Sequence, residues 1–106
     1  MVVKVNDSEF KNELTNNSKV VVKYFADWCG NCRLFAPKYK RLSEKEDFQN
    51  VKFLEVNAEQ NPEARDLGAV KNLPSFAIFQ DGKLITSDAT SKEDVVENMV
   101  VKLVNS

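Results

Sequence analysis

Short apolar runs alternate along the chain with stretches in which apolar residues keep helical spacing. The segment Val2 to Val5 predicts a first strand, and Asn6 with Glu9 three residues later predicts a capping box that opens a helix. Phe10 and Leu14 would form the buried stripe of that helix. The chain is therefore expected to begin with a strand followed by a helix.

Two longer apolar runs predict strands that are covered on both faces. VVVKYF, residues 20–25, and VKFLEVN, residues 51–57, are rich in β-branched and aromatic residues, as is typical of a parallel sheet. Between them, the apolar positions of residues 32–45 keep helical spacing. Pro37 lies inside this helical pattern, where it leaves the carbonyl of Arg33 without its helical donor.

The second half of the chain predicts a short helix, a hairpin and a last helix. Asn61-Pro62 is an N-cap followed by a proline at the first helical position, and Gly68 is expected to end that helix as a left-handed cap. SFAIFQ, the pair Asp81-Gly82 and KLIT predict two antiparallel strands joined by a tight turn. Ser91, with Asp94 three residues later, predicts the start of the last helix.

The resulting order, β α β α β α β β α, indicates an α/β fold. Strands that alternate with helices predict a mixed sheet, parallel in its first part and completed by a C-terminal antiparallel hairpin, with helices on its faces. A chain of 106 residues that is 42% hydrophobic can build one core. Residues 1–106 are therefore expected to form a single domain.

Charge and composition narrow the classes of partner. Fifteen basic and sixteen acidic residues leave a net charge of −1, which offers no field to attract nucleic acid or an anionic membrane. The N-terminal segment turns polar too early for a secretory signal, and no segment approaches the ~20 apolar residues of a membrane span. We expect a soluble, intracellular protein that resides in the cytoplasm.

The candidate chemistry lies in FADWCGNCRLFAP, which holds both cysteines of the chain, Cys29 and Cys32. Histidine is absent, and this excludes Cys–His nucleophilic pairs, Ser–His–Asp triads and most zinc sites. If a helix begins at or just after Cys29, residues three apart share one face and lie close enough for a disulfide. Reversible thiol–disulfide chemistry is the hypothesis that this spacing favours.

The two thiols are expected to differ in role. Cys29 would lie at the helix N-terminus, where free N–H groups and the macrodipole lower the pKa of a thiol, so it is the expected nucleophile. Cys32 would lie one turn inside, more buried, as the resolving thiol. Three alternatives remain at this point: a structural disulfide, a zinc site completed by carboxylates or a dimer, and two unrelated buried cysteines.

The chain resembles the thioredoxin family over nearly its entire length. FADWCGNCRLFAP is similar to the active-site segment of that family, and VNAEQNPEARDLGAVKNLPSFAIFQDGK to the stretch that leads to its cis-proline and final hairpin. The resemblance implies the thioredoxin fold and a protein-disulfide reductase that needs no bound cofactor. It also implies recycling by an NADPH-dependent thioredoxin reductase, and we expect a monomer.

The resemblance further implies a substrate groove beside the cysteines. Pro74 would be cis, the backbone of Leu73 would pair with an extended segment of a substrate protein, and Trp28, Gly30 and Asn31 would line the groove. The alternatives are an ordinary trans proline that opens a strand, and a tryptophan that belongs to the core.

Two departures from the family pattern concern the tuning of the thiols. Asn31 stands where the family commonly has proline, and its N–H can donate to a thiolate, so we expect a somewhat more oxidising protein. Lys23 stands where a buried aspartate is usual, and Glu55 where a lysine is usual. Either the two pair beneath the cysteines, with Glu55 as proton acceptor for Cys32, or both reach solvent at strand ends.

The sequence thus predicts a thiol–disulfide oxidoreductase that reduces protein disulfides through Cys29 and Cys32. A disulfide isomerase or oxidase is the alternative that Asn31 favours. A binding module that uses the same fold, with incidental thiols, is the non-enzymatic alternative.

Overall fold

The computed structural model describes residues 1–106 as five strands and four helices in the predicted order. The strands are β1 (Val2–Lys4), β2 (Lys19–Phe25), β3 (Lys52–Asn57), β4 (Ser75–Gln80) and β5 (Lys83–Ala89). The helices are α1 (Asp7–Asn16), α2 (Gly30–Ser43), α3 (Pro62–Leu67) and α4 (Glu93–Val104), and a single 3₁₀ turn spans Glu46–Phe48. No helix combines the length and the apolar character that crossing a membrane requires.

The strands form one mixed sheet in the order β1-β3-β2-β4-β5. β1, β3 and β2 run parallel, whereas β4 pairs antiparallel with β2 and carries β5 at the edge. The predicted α/β class, with a parallel part completed by a C-terminal hairpin, is confirmed. Placing β2 between β3 and β4 puts the segment that ends in the cysteines at the centre of the sheet.

Two separate apolar layers cover the two faces of the sheet. The layer under α1 and α3 contains Phe10, Leu14 and Tyr24, and the layer under α2 and α4 contains Phe35 and Val96. β2 contributes to both layers because alternate side chains point to opposite faces of a sheet. The prediction that this strand is covered on both sides is confirmed.

The local signals for α1, α2 and the hairpin are also confirmed. The Asn6 side chain accepts from the Glu9 amide at 3.2 Å while the Glu9 side chain accepts from the Asn6 amide at 3.0 Å. α2 runs through Pro37. The β4–β5 turn places Asp81 and Gly82 at φ 53° and 82°, the positive values that a tight hairpin turn requires.

The predicted role of Gly68 is wrong. Its φ is −86°, and the left-handed residue is the next one, Ala69, at φ 54°. Gly68 is needed for space instead, because a Cβ there would overlap the ring and hydroxyl of Tyr24. Tyr24 in turn donates from its hydroxyl to the Ala64 carbonyl at 2.8 Å, which ties β2 to α3.

The predicted N-caps of α3 and α4 also need correction. Asn61 is the N-cap residue of α3 with Pro62 at the first helical position, as predicted, but its side chain makes no capping bond there. It accepts from the Asp7 amide instead, and the carboxylate of Asp7 accepts from the first amides of α3. α4 begins at Glu93 after Lys92, so Ser91 is not its cap. The chain before α4 is held by Thr90, whose hydroxyl accepts from the Lys92 amide at 3.1 Å.

Candidate functional site

The two cysteines lie where the central strand β2 gives way to α2. Cys29 is the N-cap of the helix and Cys32 lies in its first turn, with their Cα atoms 5.2 Å apart and their sulfurs joined in a disulfide. Sγ of Cys29 accepts a hydrogen bond from the Cys32 amide at 3.2 Å. The expected helix-terminal position of Cys29 is confirmed, and because helix N-termini favour negative charge, a Cys29 thiolate would be stabilised there.

The expected difference in burial between the two cysteines is small. Cys29 is 4% exposed and Cys32 is 2% exposed, and both pack against Ala26, with Leu73 beside them. No group of three or more His, Cys, Asp or Glu side chains is arranged to hold a metal ion. Access to the sulfurs therefore depends on the residues that surround them.

Trp28 forms an exposed rim next to Cys29. Its side chain is 65% exposed, so the alternative that it belongs to the core is wrong. The indole Nε1 donates to Oε2 of Glu59 at 2.7 Å, which fixes the ring beside the disulfide. Gly30 and Asn31 are exposed on the same turn. Glu59 was not singled out from the sequence, because nothing in the chain order places the end of β3 beside Trp28.

Leu73 and Pro74 approach the cysteines from the start of β4. The Leu73–Pro74 peptide is cis, as the resemblance implied, and Pro74 is buried. Leu73 packs against the cysteine cluster, and neither its amide nor its carbonyl has a hydrogen-bond partner within the chain. The Pro74 carbonyl is taken by the Thr90 amide at 3.2 Å. One residue with a free backbone amide and carbonyl therefore lies beside the disulfide.

Lys23 and Glu55 are direct neighbours across β2 and β3, as the resemblance implied. Lys23 is only 3% exposed, so the alternative in which its side chain reaches solvent at a strand end is wrong. The expected ion pair is not formed either, since no Lys23–Glu55 contact lies within 4.0 Å. Burial lowers the pKa of Lys23, and the neighbouring charge of Glu55 opposes that shift.

A cavity of about 260 Å³ lies under the first turn of α2. It is lined by Lys4, Lys23, Phe25, Cys32, Arg33 and Glu55, among others. The sequence did not point to Lys4. It lies at the cavity because Lys4 of β1 and Lys23 of β2 are the register partners of Glu55 on the two sides of β3. The sheet thus places Cys32, Lys23 and Glu55 around one small space.

Tyr39 anchors α2 over this part of the sheet. Its hydroxyl is shared between the carbonyls of Val21 at 3.1 Å and Leu54 at 2.8 Å, which joins the helix to β2 and β3. Burial, with the nearby charge of Glu55, raises the pKa of this phenol well above its usual value. The hydroxyl is therefore a fixed structural donor.

Comparison with known proteins agrees with this geometry. The sequence matches the family model described as Thioredoxin over residues 1–102. It is 38% identical to "Thioredoxin Asp f 29" of Aspergillus fumigatus, over 79% of this chain and 78% of that one. It is 36% identical to "Thioredoxin-1" of Schizosaccharomyces pombe, over 80% and 82%. The fold is similar to thioredoxin F from spinach chloroplast, with a TM-score of 0.89, 25% identity, and coverage of 99% and 94%.

Proposed function

The chain belongs to the thioredoxin family, and from that premise we propose how its residues divide the work of a thiol–disulfide oxidoreductase. The protein is a disulfide reductase. Family membership implies that its substrates are proteins and that some reductase, not further specified, returns it to the dithiol form. The proposal concerns the roles of individual residues, the identity of the electron donor and the compartment. One observation carries it: Cys29 is the N-cap of α2 and is bonded to Cys32 one turn later.

Cys29 is the nucleophile in this proposal. In the reduced protein its thiolate attacks one sulfur of a substrate disulfide, a Cys29–substrate bond forms, and the other substrate sulfur leaves as a thiolate that takes a proton from solvent. Cys32, as a thiolate, then attacks Sγ of Cys29. The Cys29–Cys32 bond forms as the bond between Cys29 and the substrate sulfur breaks. That sulfur leaves as a thiolate and takes a proton from solvent, so two electrons have passed from the protein to its substrate.

The groove for the substrate is the surface around Leu73, Pro74 and Trp28. The unpartnered amide and carbonyl of Leu73 support pairing with an extended substrate backbone, because such groups accept an added strand. The exposed indole of Trp28 offers apolar contact area beside the sulfurs, with Gly30 and Asn31 completing the rim. An unfolded or loop segment that carries a disulfide fits such a groove better than a small compact molecule.

The electron donor that we propose is an NADPH-dependent thioredoxin reductase, and the compartment is the cytoplasm. A protein that reduces disulfides needs surroundings that keep its own dithiol reduced, and the cytosol does so. Chloroplasts hold members of this fold too, as the spinach structure illustrates, so fractionation of cells is the measurement that checks the location.

We propose a monomer because the exposed apolar side chains are scattered over different elements. Sedimentation checks this point.

A reductase assay with variants tests the residue roles. Insulin reduction with a panel of thioredoxin reductases as donors should proceed with the wild type and stop with Cys29→Ser. Cys32→Ser should accumulate a mixed disulfide with insulin, because nucleophilic attack remains while resolution is lost. Mixed-disulfide formation by Cys29→Ser, and none by Cys32→Ser, would reverse the assignment.

A second function, disulfide oxidation or isomerisation, is favoured by Asn31. The residue places a backbone donor in the first turn where proline has none, and this stabilises the dithiol form. The reduction potential separates the two functions. A value near −270 mV is typical of thioredoxin, whereas values near −180 mV or above are typical of isomerases and oxidases.

A further inference from the structure

Three charged residues form a row across the parallel part of the sheet. Lys4 of β1 pairs in register with Glu55 of β3, which pairs in register with Lys23 of β2. Residues in register on neighbouring strands point to the same face, here the face covered by α2. The row therefore reads cation, anion, cation, directly beneath the helix that carries Cys32.

Lys23 is the buried member of this row. Lys4 is exposed and Glu55 is half-buried, whereas Lys23 is only 3% exposed and makes neither a hydrogen bond nor an ion pair within 4.0 Å. Its ammonium has only weak contacts with aromatic faces, 5.9 Å from the ring centre of Phe25 and 6.0 Å from that of Tyr39. No fully buried side-chain nitrogen or oxygen lacks a hydrogen-bond partner, so Nζ of Lys23 is not completely enclosed although the side chain is buried. Holding an ammonium there without a protein partner still costs free energy, so a compensating role is expected.

The cavity beneath α2 identifies the group that such a charge can serve. Lys23 and Cys32 line the same space of about 260 Å³, and the side chain of Cys32 is otherwise enclosed. Tyr39 is committed to two backbone carbonyls. The charged or titratable groups that face the cavity from the surrounding elements are Lys4, Lys23, Asp27, Arg33 and Glu55. Among these groups only Lys23 is both cationic and buried, so water screens its field least.

We propose that Lys23 is a positioning residue for the resolving step, where its ammonium stabilises the thiolate of Cys32 across the cavity. The inference rests on the proposed function, in which Cys32 is the resolving thiol. Cys32 loses its proton to the carboxylate of Glu55, which lines the same cavity, and Glu55 passes it to solvent. The Cys32 thiolate then attacks Sγ of Cys29, and the substrate thiolate leaves with the electron pair of the broken bond.

The first test measures the Cys32 thiol without requiring activity. In a Cys29→Ser background, thiolate absorbance against pH reports Cys32 alone. Lys23→Met should raise the pKa of Cys32 by about one unit. At pH values below the pKa of Cys32, this change lowers the thiolate fraction about tenfold. Glu55→Gln, which removes a negative charge, should lower it. Lys4→Met is the matched control, because its exposed cation lines the same cavity and is screened by solvent, so it should shift the pKa much less.

The second test follows the resolution of a mixed disulfide formed on Cys29 in the protein with both cysteines. Lys23→Met should move the pH profile of the resolution rate to higher pH and slow resolution about tenfold at neutral pH. Glu55→Gln should be slower than wild type despite its lower thiol pKa. An equal or faster rate for Glu55→Gln would remove Glu55 as the proton acceptor.

An unchanged Cys32 pKa in folded Lys23→Met would overturn the role of Lys23. If that variant does not fold, Lys23→Gln provides the same comparison with a neutral polar side chain. Failure of the reductase assay would instead overturn the proposed function and leave the titration result standing. A merely structural role for Lys23 would change stability without moving either pH profile.

Discussion

Asn31 determines how many backbone donors the first turn of α2 offers to the cysteines. It is the second residue of the helix, so its amide is among the first four that have no acceptor within the helix. It lies between the two bonded cysteines and is exposed. A thiolate at the helix terminus can accept from such a donor, and this stabilises the reduced form.

Replacing this donor should make the protein more reducing. Asn31→Pro removes the amide hydrogen, and we expect its reduction potential to fall by about 30 mV, the equivalent of one hydrogen bond to a charged group of about 1.4 kcal/mol. Equilibration with glutathione buffers measures the potential. Asn31→Ala keeps the amide and should stay near wild type, whereas an equal fall in both variants would assign the effect to the side chain.

Adding a side chain at Gly68 and removing one at the adjacent Ala69 should have opposite effects on stability. Gly68 leaves room for Tyr24, and Ala69 adopts φ 54° although it has a Cβ. Gly68→Ala should destabilise the protein by about 3 kcal/mol, because the added methyl displaces Tyr24 from its bond to Ala64. Ala69→Gly should stabilise it by about 0.5–1 kcal/mol by relieving the left-handed conformation. Urea unfolding measures both, and effects of the same sign would contradict this account.

At the scale of elements, α1 and α3 cap each other. The Asp7 carboxylate accepts from the amides of Glu63 at 3.2 Å and Ala64 at 2.8 Å, and the Asp7 amide donates to Asn61 at 2.8 Å. Residues 54 to 57 positions apart in the chain therefore complete two helix N-termini. This explains why Asn61 has the sequence of an N-cap but a different function.

Loss of this cap should weaken the α1–α3 contact. Asp7→Ala is expected to lower the free energy of unfolding by about 1–2 kcal/mol, since the carboxylate that accepts from two amides at the start of α3 is lost. Chemical denaturation measures the change. Asp66→Ala, at the exposed other end of α3, is the control and should change stability by less than about 0.5 kcal/mol. Equal losses would show that the cap contributes nothing specific.

At the scale of the whole molecule, the buried charge of Lys23 links folding to pH. Burial lowers its pKa in the folded protein, so between that lowered pKa and the usual value near 10.4 the unfolded chain binds more protons. The contribution of Lys23 is therefore a penalty at neutral pH that fades as pH rises through this window. The raised pKa values of Tyr24 and Tyr39 act in the opposite direction, as stability is lost above about pH 10.

Removing the buried charge should thus stabilise the fold while impairing resolution. We expect Lys23→Met to gain about 1 kcal/mol at pH 7, with the advantage shrinking toward pH 10. Denaturant unfolding of the wild type and Lys23→Met at several pH values measures the difference in their free energies of unfolding. The tyrosine contributions cancel in this difference because both proteins contain Tyr24 and Tyr39. Lys40→Met on the exposed side of α2 should show no such trend. An advantage that stays constant with pH would refute the linkage.

Local patterns in the sequence determined the elements and the reactive pair. The capping box at Asn6, the Asp81-Gly82 turn and the apolar runs of β2 and β3 depend on neighbours a few residues away, so they could be predicted. The spacing of Cys29 and Cys32 was equally local, because one helical turn joins them. The family resemblance supplied the cis form of Pro74 and the strand neighbours Lys23 and Glu55.

Only the tertiary structure decided which distant groups meet. The space for Tyr24 beside Gly68, the cap from Asp7 and the exposure of Trp28 depend on how helices pack on the sheet, which no local pattern encodes. The strand order puts Lys4 in register with Glu55 and encloses Lys23 beneath α2. The physical reason is that burial and electrostatic surroundings arise from contacts between remote segments, whereas helix and turn signals arise within one segment.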